Sequence, residues 1–131
     1  LLQRMLIFHF NELHKLIDSN YIIPFCPAQA AGLPTPRKPC EILNCSVISS
    51  SGDDFTDIFK KGAEETFKIC ELYNIQYAIL KAKSPSCGYG KIHNGTFSGT
   101  LVEGSGITAK LLADNGIKIF NELNYNKLFN E

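Results

Sequence analysis

Three short apolar runs set the frame for what this chain can become. Tyr21-Ile22-Ile23-Pro24-Phe25-Cys26, Tyr77-Ala78-Ile79-Leu80 and Ile117-Lys118-Ile119-Phe120 are too short for helices and rich in β-branched and aromatic side chains, the composition of buried strands. Segments of helical periodicity lie between them. Residues 53–73 open on Asp53-Asp54 with Thr56 and Asp57, which supply N-cap chemistry, and then carry Phe55, Ile58, Phe59, Ala63, Phe67, Ile69, Cys70 and Leu72 as a broad apolar face. Residues 107–115 form a shorter helix stopped by Gly116. Residues 1–17 place Leu2, Met5, Leu6, Phe10, Leu13, Leu16 and Ile17 at helical spacing and read as a further amphipathic helix.

Helices alternating with strands predict an α/β fold, a Rossmann-like three-layer arrangement around a short parallel sheet. Three strands are few for such a sheet, and an opening helix usually follows a strand, so the first strand is expected to be missing from this chain. Residues 27–39 are rich in Ala, Gly and Pro and read as an ordered loop; residues 41–51 hold Ile42, Leu43, Val47 and Ile48, a short strand or hairpin arm turned by Ser50-Ser51-Gly52. The Asn-rich tail reads as a terminal helix.

With 131 residues the chain is expected to be a single domain spanning 1–131. Thirteen basic residues balance thirteen acidic ones and no basic cluster stands out, which argues against a nucleic-acid polymer as partner. No apolar run is long enough to span a bilayer. Five cysteines, at 26, 40, 45, 70 and 87, form an odd set with no secretory signal ahead of them, the pattern of a reducing cytoplasm.

The chemistry gathers at the carboxyl ends of two strands. Cys26 follows the first apolar run, and Cys87 follows the second within Ser84-Pro85-Ser86-Cys87-Gly88. A parallel sheet collects such ends on one edge. Two thiols brought together there point to metal or iron–sulfur ligation or to thiol chemistry, against the plainer reading of buried structural cysteines. Cys70 sits on an apolar helix face and reads as core. Cys40 and Cys45 read as half-buried structural thiols, with a further ligand as the other possibility. His93, in His93-Asn94-Gly95, reads as a turn residue before a base or ligand. Arg37, Lys81 and Lys83 are able to neutralise an anionic substrate or cluster, solvated lysine being the default. The glycines at 88, 90, 95 and 99 match neither a dinucleotide fingerprint nor a P-loop.

Cys26-Pro27, Gly32-Leu33-Pro34-Thr35-Pro36-Arg37, Ala78-Ile79-Leu80-Lys81, Ser84-Pro85-Ser86-Cys87-Gly88, Asn94-Gly95-Thr96-Phe97-Ser98-Gly99 and Gly106-Ile107-Thr108-Ala109 resemble domain-of-unknown-function family 523, whose characterised members are iron–sulfur-dependent thiouracil desulfidases. The resemblance implies a [4Fe-4S] cluster on three cysteines, one iron being open to the sulfur of a thiolated base, and hydrolytic release of that sulfur as sulfide. Cys26 and Cys87 match two of the ligands, and Ser84 and Ser86 match positions that line the pocket and assist proton transfer. Lys81, Gly88, Thr96, Ser98 and Arg37 are the substrate-binding candidates. The chain departs from the family at two points: no Cys-Leu-Leu-Gly precedes Cys26, and Ala28 stands where an acidic residue usually follows Cys-Pro. Gln29 does not titrate in its place.

The expected function is therefore [4Fe-4S]-dependent, non-redox desulfuration of a thiolated nucleobase such as 2-thiouracil. The alternatives are an inactive family member that binds a small ligand or partner, and a zinc or thiol site on Cys26 and Cys87.

Overall fold

A computed structural model describes residues 3–7, 20–33 and 38–130. In chain order its elements are β1 (Gln3–Ile7), β2 (Asn20–Pro24), a one-turn helix α1 (Pro27–Ala30), β3 (Cys40–Leu43), β4 (Ser46–Ser49), α2 (Thr56–Leu72), β5 (Tyr77–Leu80), β6 (Lys91–His93), β7 (Leu101–Glu103), α3 (Ile107–Asp114), β8 (Lys118–Asn121) and a closing 3-10 helix (Tyr125–Asn130). The main sheet runs β2-β1-β5-β8, with every neighbouring pair parallel.

The parallel α/β sheet follows the sequence pattern, but its front does not. Residues 3–7 form a strand rather than the start of a helix, and that strand is central, pairing with β2 on one side and β5 on the other. A first strand is thus present, and the sheet has four strands where the sequence pattern promised three. The physical reason is that Met5, Leu6 and Ile7 are consecutive and all fully buried, as in a strand covered on both faces; a continuous apolar run fits helical spacing by coincidence. The remainder of the helix expected over 1–17 lies outside the described residues. β1 carries no cysteine, so the Cys-Leu-Leu-Gly motif is still lacking from it.

Side chains alternate across the sheet. Leu6, Ala78 and Leu80 face Cys70 of α2 and Ala109 and Leu112 of α3, whereas Met5, Ile7 and Ile79 face the opposite side, with Ile22, Tyr77, Phe120 and Tyr125 packed on them. Burial of Leu and Ile side chains of this kind is worth about 1.5–3 kcal/mol each, so this double-sided core fixes the register of β1 and β5. Pro24, which has no N–H to donate, is accommodated because β2 is an edge strand.

Two antiparallel hairpins flank the sheet: β3 with β4, and β6 with β7. The second falls inside a stretch whose glycines read as irregular loop. The N-cap of α2 is Phe55, which makes no side-chain cap, so the capping expected of Asp53 and Asp54 is not seen in that form; Asp54, one residue earlier, accepts the Thr56 N–H (2.8 Å) in a local turn.

Strand order decides where a site can lie. The chain leaves β1 for β2 on one side and returns to β5 on the other, a reversal that opens a crevice at the carboxyl ends of the strands. The Phe25 N–H donates to the Ile7 carbonyl (2.9 Å), extending the pairing one step so that Cys26 emerges at that edge. The chain after β5 leaves at the same edge.

Candidate active site

The segment from Ser84 to Gly88 is a tight turn locked from two sides. The Cys87 N–H donates to Ser84 Oγ (2.7 Å), and the Gly88 N–H donates to the Ser84 carbonyl (2.9 Å). The first turn of α3 then holds the turn from behind: Ile107 N–H donates to the Pro85 carbonyl (2.9 Å), and Thr108 and Ala109 N–H donate to the Ser86 carbonyl (2.9 and 3.0 Å). Those amides have no partner within a helix, so they serve as a ready-made dock for a loop. Gly106 makes the approach possible, because a Cβ there would collide with the Ser86 carbonyl. Ser86 Oγ pairs with Thr108 Oγ1 (2.9 Å) between two buried residues.

This turn forms one wall of a cavity of about 580 Å³. Cys87 lines it from the turn, Cys26 from the end of β2, and Cys40 from the start of β3. Cys87 is buried, and that burial pushes its thiol up to about 11; the Ser86 hydroxyl pulls the other way, and Cys26 adds a further upward push. At neutral pH Cys87 is therefore a neutral thiol until a metal or other electrophile displaces its proton. Cys26, far from Cys87 in sequence, lines the same cavity.

α1 sets the position of Cys26. Cys26 is its N-cap, and its carbonyl accepts the Ala30 N–H (3.0 Å). The helix packs on α2 at Gly62, where a Cβ would stand 2.6 Å from the Pro27 carbonyl oxygen.

Two further polar side chains line the cavity. Glu41, on β3, is only 7% exposed, and its Oε1 accepts the Gly95 and Phe97 N–H groups (3.0 and 3.1 Å), tying the 94–99 loop to the β3–β4 hairpin. His93 ends β6, and among the described residues its buried Nδ1 has no hydrogen-bond partner.

A family model described as 2-thiouracil desulfurase matches residues 5–124. The chain belongs to the 2-thiouracil desulfurase family. Among its relatives is the uncharacterized protein YbbK of Bacillus subtilis, 38% identical over 126 residues that cover 87% of this chain and 83% of YbbK. The fold is similar to that of a solved [4Fe-4S]-dependent thiouracil desulfidase, TudS, with a TM-score of 0.88 and 35% identity, covering 97% of this chain and 95% of that one.

Of the residues the desulfurase motifs single out, the structure brings Cys26, Cys87, Ser84, Ser86 and Lys81 to the one cavity. Gly88 sits behind the wall, packed so closely on the Ser84 carbonyl and Ile92 that no side chain fits. Thr96 and Ser98 are exposed, do not line the cavity, and bond instead to each other (2.7 Å) and to Asn94 and Thr100. Arg37 lies outside the described residues. Cys45 is exposed at the β3–β4 turn, and Cys70 is core, as its helical spacing predicts.

Sequence reasoning gave Glu41 no role, treated Cys40 as a structural thiol and His93 as a turn residue; all three line the cavity. The one available signal for Glu41 was a carboxylate beside the apolar pair Ile42-Leu43.

Thiolate is the usual ligand of iron–sulfur clusters, and the cavity presents Cys26, Cys40 and Cys87. Among the described residues, no three His, Cys, Asp or Glu side chains are gathered closely enough to hold one metal ion. Cys26 and Cys87 are thiols of the kind that ligate a cluster, and the described residues alone do not complete a three-ligand set.

Proposed function

We propose that this chain removes sulfur from a thiolated nucleobase such as 2-thiouracil: water adds its oxygen, the C=S bond is replaced by C=O, and sulfide leaves with no net redox change. The observation that carries this reading is the meeting of Cys26 and Cys87 at the carboxyl edge of the sheet, in a chain whose solved relative is a [4Fe-4S]-dependent desulfidase. Cys26 and Cys87 would hold the cluster, which, when bound, supplies an iron soft enough to take a thiocarbonyl sulfur.

The chain's own groups do the rest. Ser84 Oγ accepts from the Cys87 N–H and so keeps its own proton to donate into the cavity. Ser86 shares its hydroxyl with Thr108 and serves mainly to hold the wall. Lys81 and Lys83, on the rim, favour departure of an anionic product. Pro27, Phe59 and Pro85 give the planar base an apolar slot. The free cysteines suit a reducing, cytoplasmic setting.

A second reading has specific support: Ala28 follows Cys-Pro, and β1 has no cysteine, so the chain would bind the base without turning it over. Anaerobic reconstitution with iron and sulfide, followed by a sulfide-release assay on 2-thiouracil, separates the two. Multiple turnovers support desulfuration. Binding without release supports the second reading and overturns the first.

A further inference from the structure

Glu41 is a carboxylate more than nine-tenths buried in a wall shared with thiols. Its Oε1 is fully used by the Gly95 and Phe97 N–H groups. Among the described residues Oε2 takes no hydrogen bond, and no cation pairs with the group; the nearby Lys38 Nζ donates to Ser51 Oγ instead (2.7 Å). Oε2 is not sealed within the protein: among the described residues the fully enclosed side-chain polar atom that lacks a partner is His93 Nδ1, so this oxygen keeps an accessible side, and the space that Glu41 lines is the cavity.

We propose that Glu41 selects the substrate, its second oxygen accepting a ring N–H beside the thiocarbonyl, so that the site takes heterocyclic thioamides with an unsubstituted ring nitrogen and discriminates against N-alkylated ones. This rests on the desulfuration reading for the class of ligand. The Gly95 and Phe97 amides fix the carboxylate in place, so no reorganisation is needed when the ring arrives. A charge-assisted hydrogen bond to a buried group is worth about tenfold or more in affinity.

Glu41→Gln separates recognition from scaffolding. The glutamine carbonyl can still accept both loop amides, but its NH₂ then faces the cavity, donor against donor; turning it the other way sets the NH₂ against the two backbone N–H groups. Calorimetric titration of the reconstituted full chain with 2-thiouracil and with 1,3-dimethyl-2-thiouracil is the test. The unsubstituted chain should bind 2-thiouracil at least about tenfold more tightly than the dimethyl compound. Glu41→Gln should abolish that preference while its melting temperature stays near that of the parent. Equal affinity of the parent for both compounds overturns the proposal and needs no variant; so does a folded Glu41→Gln chain that keeps the preference, or a parent that binds neither. Sulfide release is followed in parallel. Its absence alongside Glu41-dependent binding defeats the desulfuration reading and leaves the recognition site standing.

Discussion

Ser86 and Thr108 show how single hydroxyls carry this site. Each satisfies the other, with Thr108 fully buried and Ser86 buried at the cavity wall. Ser86→Ala leaves the Thr108 hydroxyl without its partner, a loss of about 1–3 kcal/mol. Thermal denaturation should show that loss, and the Ser86→Ala, Thr108→Val double variant should recover part of it. Cys70 gives a second test at this scale. Burial pushes its thiol from 9.0 up to about 12, so above pH 9 the unfolded chain gives up a proton that the native chain keeps. Native stability contributed by Cys70 is therefore full below pH 9 and is lost as pH rises toward 12. Cys70→Ala should flatten the alkaline limb of the stability curve, and iodoacetamide should label exposed Cys45 long before Cys70. Cys26 and Cys87 were legible in the sequence because proline and glycine flank them at the ends of apolar runs. Glu41 and Cys40 were not, because what places them is the docking of a hairpin, and no local pattern encodes a contact with Gly95 or Phe97.

At the scale of elements, two close approaches position the thiols, and each depends on a glycine for space. Gly62 lets α1 rest on α2, and Gly106 lets the 84–88 turn rest on α3. Gly62→Ala should displace α1 and Cys26 with it, at a cost of about 1–3 kcal/mol for overpacking. The expected outcome is a lower melting temperature together with weaker iron retention, which reconstitution and iron analysis would detect. Gly106→Ala should do the same through Cys87. Helices and strands with one clear period were readable: α2, α3 and β5 lie within a few residues of where the sequence pattern puts them. β1 was misread because a strand buried on both faces has no period of two. The β6–β7 hairpin was hidden because its strands are three residues long and set among glycines.

For the whole molecule, the strand order β2-β1-β5-β8 is what brings two distant cysteines to one cavity. The reversal of direction at β1 opens the crevice, both thiols leave the sheet at its carboxyl edge, and the hairpins wall in the remainder. Among the described residues no helix is long and apolar enough to cross a membrane. The α/β class followed from alternation alone, whereas the central place of β1 emerged only from pairing. The central claim is that Cys26 and Cys87 form one sulfur-ligated site, and its most direct measurement is iron content and visible absorption after anaerobic reconstitution of Cys26→Ser, Cys87→Ser and Cys45→Ser. The first two should lose most of the iron and the absorption while Cys45→Ser keeps both; retention of the parent's iron and spectrum by Cys26→Ser or Cys87→Ser would contradict the account.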